Sequence, residues 1–182
     1  KVKFSTSFSD TQSLYDISIT EPYFYNKDLS IRSDLYSKFS DPESVNYETE
    51  TVGLGASLSF PLSSNNRITT KYSLLTSKTT ADDNATSYEK LLSGTSTVSV
   101  AGYILSLDNR NSPYKPTDGS LLTIEQNLAG LGGTSNYLES KISYKKYKKL
   151  NRIFTAAIKA QIGSITGYSG KYAPVDQMFN IG

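Results

Sequence analysis

Leu107-Asp108-Asn109-Arg110-Asn111-Ser112-Pro113-Tyr114-Lys115-Pro116-Thr117-Asp118-Gly119 is the stretch that decides how this chain is read. It lies between two runs with strand character, 95–107 and 120–128. Two prolines cannot donate to a sheet ladder, and Asp118-Gly119 offers the positive-φ position that a tight turn wants. The stretch is expected to be a long, ordered hairpin turn. Asp108 and Arg110 give it a charged entrance that a bland turn would not need.

Working outward, the same plan recurs. Val2, Phe4, Thr6 and Phe8 alternate with Lys3, Ser5 and Ser7, which is the period of a strand. Tyr15, Ile17 and Ile19 do the same, and after the connection 21–28 so do Leu29, Ile31, Leu35 and Phe39, with Arg32, Asp34 and Lys38 opposite. Val52, Leu54, Ala56, Leu58 and Phe60 face one way, with glycine and serine on the other side. Ile68, Tyr72 and Leu74 share a face of the next strand, and 79–94 reads as a polar loop. In 95–107 the alternation is blurred: Val98, Val100 and Ile104 compete with Ala101, Tyr103 and Leu105, so its facing is left open. Leu122, Ile124 and Leu128, then Leu138, Ile142 and Tyr144, then Phe154, Ala156, Ile158, Ala160 and Ile162 complete the series. The stretch 145–151 reads as a basic turn.

About nine strands and no helix are expected, each near the roughly 9–11 residues that cross a bilayer when tilted. One face of most strands is apolar; the other carries Asp16, Arg32, Asp34, Lys38, Lys71, Glu125, Glu139, Lys141 and Lys159. A soluble sandwich would turn the polar face to water, whereas a membrane barrel would turn the apolar face to lipid. Three features favour the barrel. The strands are long for a sandwich. Compact turns (21–28, 61–66, 108–119, 145–151) alternate with variable polar loops (10–13, 40–48, 79–94, 129–136). Tyr23, Phe24, Tyr25, Phe60, Tyr114, Tyr144 and Tyr147 gather at the turn side, as an interfacial girdle would. A soluble or surface-adhesive β protein remains the alternative.

Composition removes much else. The 182 residues carry 19 basic and 17 acidic side chains, too weak a positive balance for a nucleic-acid binder. Without cysteine or histidine there are no disulfides, no thiolate chemistry, no Cys/His metal site and no His-based triad. No stretch approaches 18 apolar residues, so no transmembrane helix is expected. Lys1-Val2-Lys3-Phe4 runs straight into a strand, so no signal peptide is expected and the chain reads as a piece of a longer one.

Four segments, in order, carry a resemblance. Thr20-Glu21-Pro22-Tyr23-Phe24 and Leu58-Ser59-Phe60-Pro61-Leu62 resemble periplasmic turns of the BamA-type outer-membrane assembly factors, the bacterial surface antigen family. Asp108, Arg110, Pro113, Pro116 and Gly119 are similar to that family's D-x-R-x-x-P-x-x-P-x-x-G turn. Phe179-Asn180-Ile181-Gly182 is similar to the F-x-x-G that opens its sixth extracellular loop.

The resemblance implies an all-β, antiparallel up-and-down transmembrane β-barrel, with 1–182 as part of one barrel domain. That part would run from about strand three to strand eleven of sixteen and end at the start of extracellular loop six. The periplasmic POTRA domains, the V-R-G-[FY] motif and the seam strands would lie outside it, and a lone piece with two open edges would not be stable. The implied role is insertion and folding of β-barrel proteins in the bacterial outer membrane, with no enzymatic activity and no cofactor or metal. The implied partners are the lipid bilayer, assembly-complex lipoproteins and nascent barrels, with no nucleic acid. A two-partner secretion transporter or an organellar homologue of the same superfamily is the nearer alternative. Ile17, Ile19, Leu54, Leu58, Leu74, Ile124, Ile142 and Ile158 are the expected lipid-facing belt.

Each candidate residue also has a plain reading. Asp108 and Arg110 make either a lumenal contact or an ion pair that stabilises the turn, and Pro113, Pro116 and Gly119 are backbone devices. Lys145, Lys146, Lys148 and Lys149 make either a contact to anionic head groups or a solvated turn. Gly130, Gly132 and Gly133 lack the Lys-Ser/Thr of a phosphate loop, and Asn84-Ala85-Thr86 is too short a pattern to mean glycosylation. Asp82 with Asp83, and Asp41 with Glu43, lack the ligand spacing of a calcium loop.

Overall fold

Alternating Thr, Ser, Tyr and branched apolar residues suit a pleated backbone that sends successive side chains to opposite faces. In the computed structural model, which describes residues 1–41 and 46–169, they form nine strands. These are β1 (Val2–Ser9), β2 (Gln12–Glu21), β3 (Ser30–Ser40), β4 (Tyr47–Pro61), β5 (Asn66–Ala81), β6 (Gly94–Asp108), β7 (Gly119–Ala129), β8 (Tyr137–Lys149) and β9 (Thr155–Gly167). They make one sheet in chain order, antiparallel throughout, and the sheet is not closed. The stretch 79–94 is not wholly a loop as expected. β5 runs through Ala81, and a six-residue helix, α1 (Ser87–Leu92), follows. A connection of this length has room to satisfy its own backbone, as Lys90 N–H does on the Thr86 carbonyl at 2.9 Å.

The register builds two unlike faces. Phe4, Ile17, Leu35, Leu54 and Leu74 stand opposite one another across five strands. Ile68, Leu105, Ile124, Ile142 and Ile162 continue the same face to β9. All eight expected belt residues fall on this side. Arg32, Ser57, Lys71, Gly102, Asn127 and Glu139 form a row on the other. The facing of β6 is thereby fixed: Ala101, Tyr103, Leu105 and Leu107 join the apolar side, and Val98, Val100 and Ile104 the polar one. Pairing alone decides this, because a slip of one residue would invert every side chain.

Burial is inverted relative to a water-soluble fold. Among the described residues, Ser18, Ser99, Asn127 and Glu139 are buried, while Ile17, Leu35, Leu54, Ile142, Ile158 and Ile162 are exposed. No second sheet covers the apolar face among the described residues. No described helix is long and apolar enough to cross a membrane.

Two sequence expectations fail at the sheet's ends. Connection length does not separate them: the tightest connection, 10–11, lies among the supposed long loops, and 109–118 is among the longest. Lys145, Lys146, Lys148 and Lys149 are also not in a turn but in β8, which extends to Lys149 because every one of them pairs with β9. They alternate, with Lys146 and Lys148 on the apolar side and Lys145 and Lys149 on the polar side.

Candidate functional site

The turn between β6 and β7 is organised by two side chains. Arg110 grips the Asp108 carboxylate with both arms of its fork, Nε to Oδ1 at 2.8 Å and Nη2 to Oδ2 at 2.6 Å. Its backbone N–H donates to the same Oδ1 at 3.0 Å, and Nη1 reaches the Pro113 carbonyl at 3.4 Å. The Arg110 side chain is 14% exposed, so the bidentate pair is partly shielded from water rather than a loose surface contact. Its proton is held more tightly than in a free arginine, chiefly through the Asp108 bond, with Tyr147 of β8 assisting.

Asn111 is the second organiser. Its Oδ1 accepts the Thr117 N–H at 3.0 Å and the Asp118 N–H at 3.1 Å, while Nδ2 donates to Thr117 Oγ1 at 2.7 Å. Pro116 stands immediately before these donors, where its missing N–H leaves nothing unpaired. Gly119 has φ +99°, and a Cβ there would run into the Asn109 carbonyl and Arg110 Cα. Asp118 Oδ1 accepts the Gly119 N–H at 2.8 Å, and that bond, followed by Lys148, keeps the Asp118 carboxyl below the usual carboxylate range.

The other two turns are simpler. Glu21 Oε1 accepts the Tyr23 N–H at 3.1 Å, and Phe24 N–H donates to the Leu29 carbonyl at 2.8 Å. Pro22 starts the bend, and the Phe24 and Tyr25 rings meet edge-on at 4.5 Å. Phe60 lies opposite Ile68, and Pro61 opposite Arg67. Arg67 also joins neighbouring turns, with Nη2 2.6 Å from Asp28 Oδ1.

On the polar face, five side chains form one chain of contacts. Lys71 Nζ lies 2.5 Å from Glu125 Oε1, and Asn127 Nδ2 donates to Glu125 Oε1 at 3.0 Å and to Glu139 Oε2 at 2.6 Å. Lys141 Nζ completes it, 2.6 Å from Glu139 Oε1. Gly102 makes this possible. It is opposite both Lys71 and Asn127, and without a side chain it lets the lysine cross β6 to reach β7. Asp34 pairs with Arg32 on the same face, and Asp16 accepts the Ser5 hydroxyl at 3.2 Å.

Asp108, Arg110, Pro113, Pro116 and Gly119 thus converge in one turn, while Glu21, Pro22, Tyr23, Phe24, Phe60 and Pro61 sit in two further turns at the same end of the sheet. Phe179, Gly182 and Glu43 lie outside the described residues. Tyr147, expected in the aromatic girdle, is on the polar side beside Arg110, because it pairs with Gly119. Sequence reading missed Asn111, whose signal was an Asn six residues before the N–H it caps, and Asn127, which has no local signal. Among the described residues no group of acids is arranged to hold a metal ion.

The Omp85 superfamily domain matches residues 1–182. The crystal structure of BamA from Haemophilus ducreyi lacking POTRA domains 1–3 is similar to the chain with a TM-score of 0.82 at 21% identity, over 100% of this chain. The chain spans 38% of the length of that protein's chain. The likeness shows the fold, an antiparallel sheet of the BamA barrel type. No curated protein matches the sequence.

Proposed function

We propose that this chain, which belongs to the Omp85 superfamily, forms the central wall of a BamA-like barrel that inserts and folds β-barrel proteins in the bacterial outer membrane. The observation that carries the reading is the two-faced sheet. An apolar belt, exposed over much of its length, runs across the nine strands, and a partly buried row of ion pairs runs along the opposite face. That is the arrangement of a barrel with lipid outside and a polar lumen inside. In this reading the segment supplies about strands three to eleven of sixteen. Its turns face the periplasm, and the end of the chain at Phe179 and Gly182 leads into loop six.

The Asp108–Arg110 turn then fixes the periplasmic end of the wall, and no residue has an enzymatic role. Partners are the bilayer, nascent barrels and accessory lipoproteins. The full-length protein, reconstituted in lipid vesicles, should speed the folding of an unrelated urea-denatured outer-membrane barrel. Depleting it in its own bacterium should lower several such barrels together. Normal levels of all of them, with loss of a single secreted protein, would instead indicate a two-partner secretion transporter.

A further inference from the structure

The densest run of basic charge in the sequence lies at the turn end of β8 and β9. Between positions 145 and 159 there are six basic residues, Lys145, Lys146, Lys148, Lys149, Arg152 and Lys159, and no acidic one. Since the whole chain has a net charge of +2, everything outside this hairpin is net negative by four. Of the two carboxylates in the adjoining turn, Asp108 is engaged by Arg110 and Asp118 by the Gly119 N–H, with only a long, exposed 3.4 Å contact from Asp118 to Lys148. Lys145 even stands directly opposite Lys159. Like charges facing across a strand pair are destabilising, and with no acidic residue between 145 and 159 the excess charge on either face of the hairpin is open to an anion from outside it.

The register identifies which anion. Lys146 and Lys148 are on the apolar side; Ile158 of β9 stands opposite Lys146, and the next positions along that side are Tyr144 and Ile142, with Ile162 opposite Ile142. Ile158 and Ile162 are each 69% exposed, and the Lys148 side chain is 67% exposed. An ammonium pair at the turn end of an exposed apolar strip, beside Ile158 and along from Ile142 and Ile162, matches a molecule with an anionic head and hydrocarbon tails. Lysine stems can lie along such a strip while their ammonium groups stay at the polar boundary.

We propose that Lys146 and Lys148 bind the phosphate head group of an anionic phospholipid, whose acyl chains lie along Ile142, Ile158 and Ile162. This rests on the reading that the belt faces lipid. Lys145, Lys149 and Lys159, on the polar face, are not part of the site. The site would anchor the turn end of the hairpin at the head-group level of one leaflet, at a fixed depth.

The test uses the full-length protein in vesicles of equal phosphatidylcholine and phosphatidylglycerol, extracted and weighed with its retained lipids by native mass spectrometry. Phosphatidylglycerol should be retained in preference. K146Q/K148Q should reduce that preference by about fivefold per lysine, whereas K145Q/K159Q should leave it unchanged. Raising the salt from about 0.05 to 0.5 M should weaken the preference in the native sequence, a readout that does not require any variant to fold. Equal retention of the two lipids, or a preference indifferent to both salt and K146Q/K148Q, overturns the proposal. So does a preference seen only with an acidic protein partner present. Failure of the native protein to enter vesicles at all would overturn the membrane reading beneath it instead.

Discussion

Lys71 of β5 and Glu125 of β7 are joined at 2.5 Å although a whole strand, β6, lies between them. The contact passes over Gly102, the β6 residue opposite Lys71, where any side chain would stand in the way.

Gly102→Ala should therefore destabilise the sheet from its polar side. The added methyl would press on the Asn127 side-chain oxygen and the Gln126 carbonyl. Overpacking of this kind costs about 1–3 kcal/mol. The expected outcome is a lower unfolding temperature for the heat-modifiable band on a gel. An unchanged transition would show that the row relaxes around the methyl freely.

The Asp108–Arg110 pair makes a different prediction. Asp108→Asn leaves a partly buried guanidinium with one arm unanswered, a loss of about 1–3 kcal/mol. Arg110→Lys should not rescue the turn, because an ammonium cannot span both carboxylate oxygens as the fork does. Equilibrium unfolding of the full-length protein in detergent, compared across both variants, checks this. Equal stability of Arg110→Lys and the native protein would contradict it.

Gly119→Val should act through the backbone alone. A φ of +99° is hostile to a branched residue, and a Cβ there meets backbone on the far side of the turn. Assembly into the membrane should fall, visible as loss of heat-modifiable folding. An unaffected gel pattern would mean that the turn can adopt another conformation.

Acid should loosen the same turn through Asp118. Its carboxyl is held below the ordinary range by the Gly119 N–H and Lys148, so the folded pKa is depressed. The stabilisation is complete above the unfolded value, near 4, and is lost as pH falls through the lowered folded value. Asp118→Asn should thus differ from the native protein near neutral pH and converge with it as the pH falls through the lowered folded value. Thermal unfolding across that range provides the comparison, and a constant gap at all pH values would refute the assignment.

Much of the fold was legible in the chain because its signals are local. Alternation at Phe4, Ile17, Leu54 or Ile142 states which side of a strand is apolar, and Pro113, Pro116 and Gly119 state where a hairpin bends. β6 was not legible because both of its sides carry apolar residues; only pairing with Ile68 and Ile124 fixes Leu105 on the belt. The lysines at 145–149 looked like a turn because charge mimics exposure, yet they continue the ladder. Within the candidate site, Asp108 and Arg110 are two residues apart and could be read together. Lys71 and Glu125 are 54 apart, so no window of sequence contains their meeting.

Every strand's sheet neighbours are also its neighbours in the chain, from β1 through β9. The sheet has no crossover to undo. Drawn by its two ends in a force experiment, it should come apart as a zipper does, shedding one hairpin at a time in a series of similar extension steps. Run backwards, the same order lets each new strand dock on the one just laid down. The loop to be closed at each step is then a single connection, and the entropic cost of closure stays nearly constant as the wall lengthens.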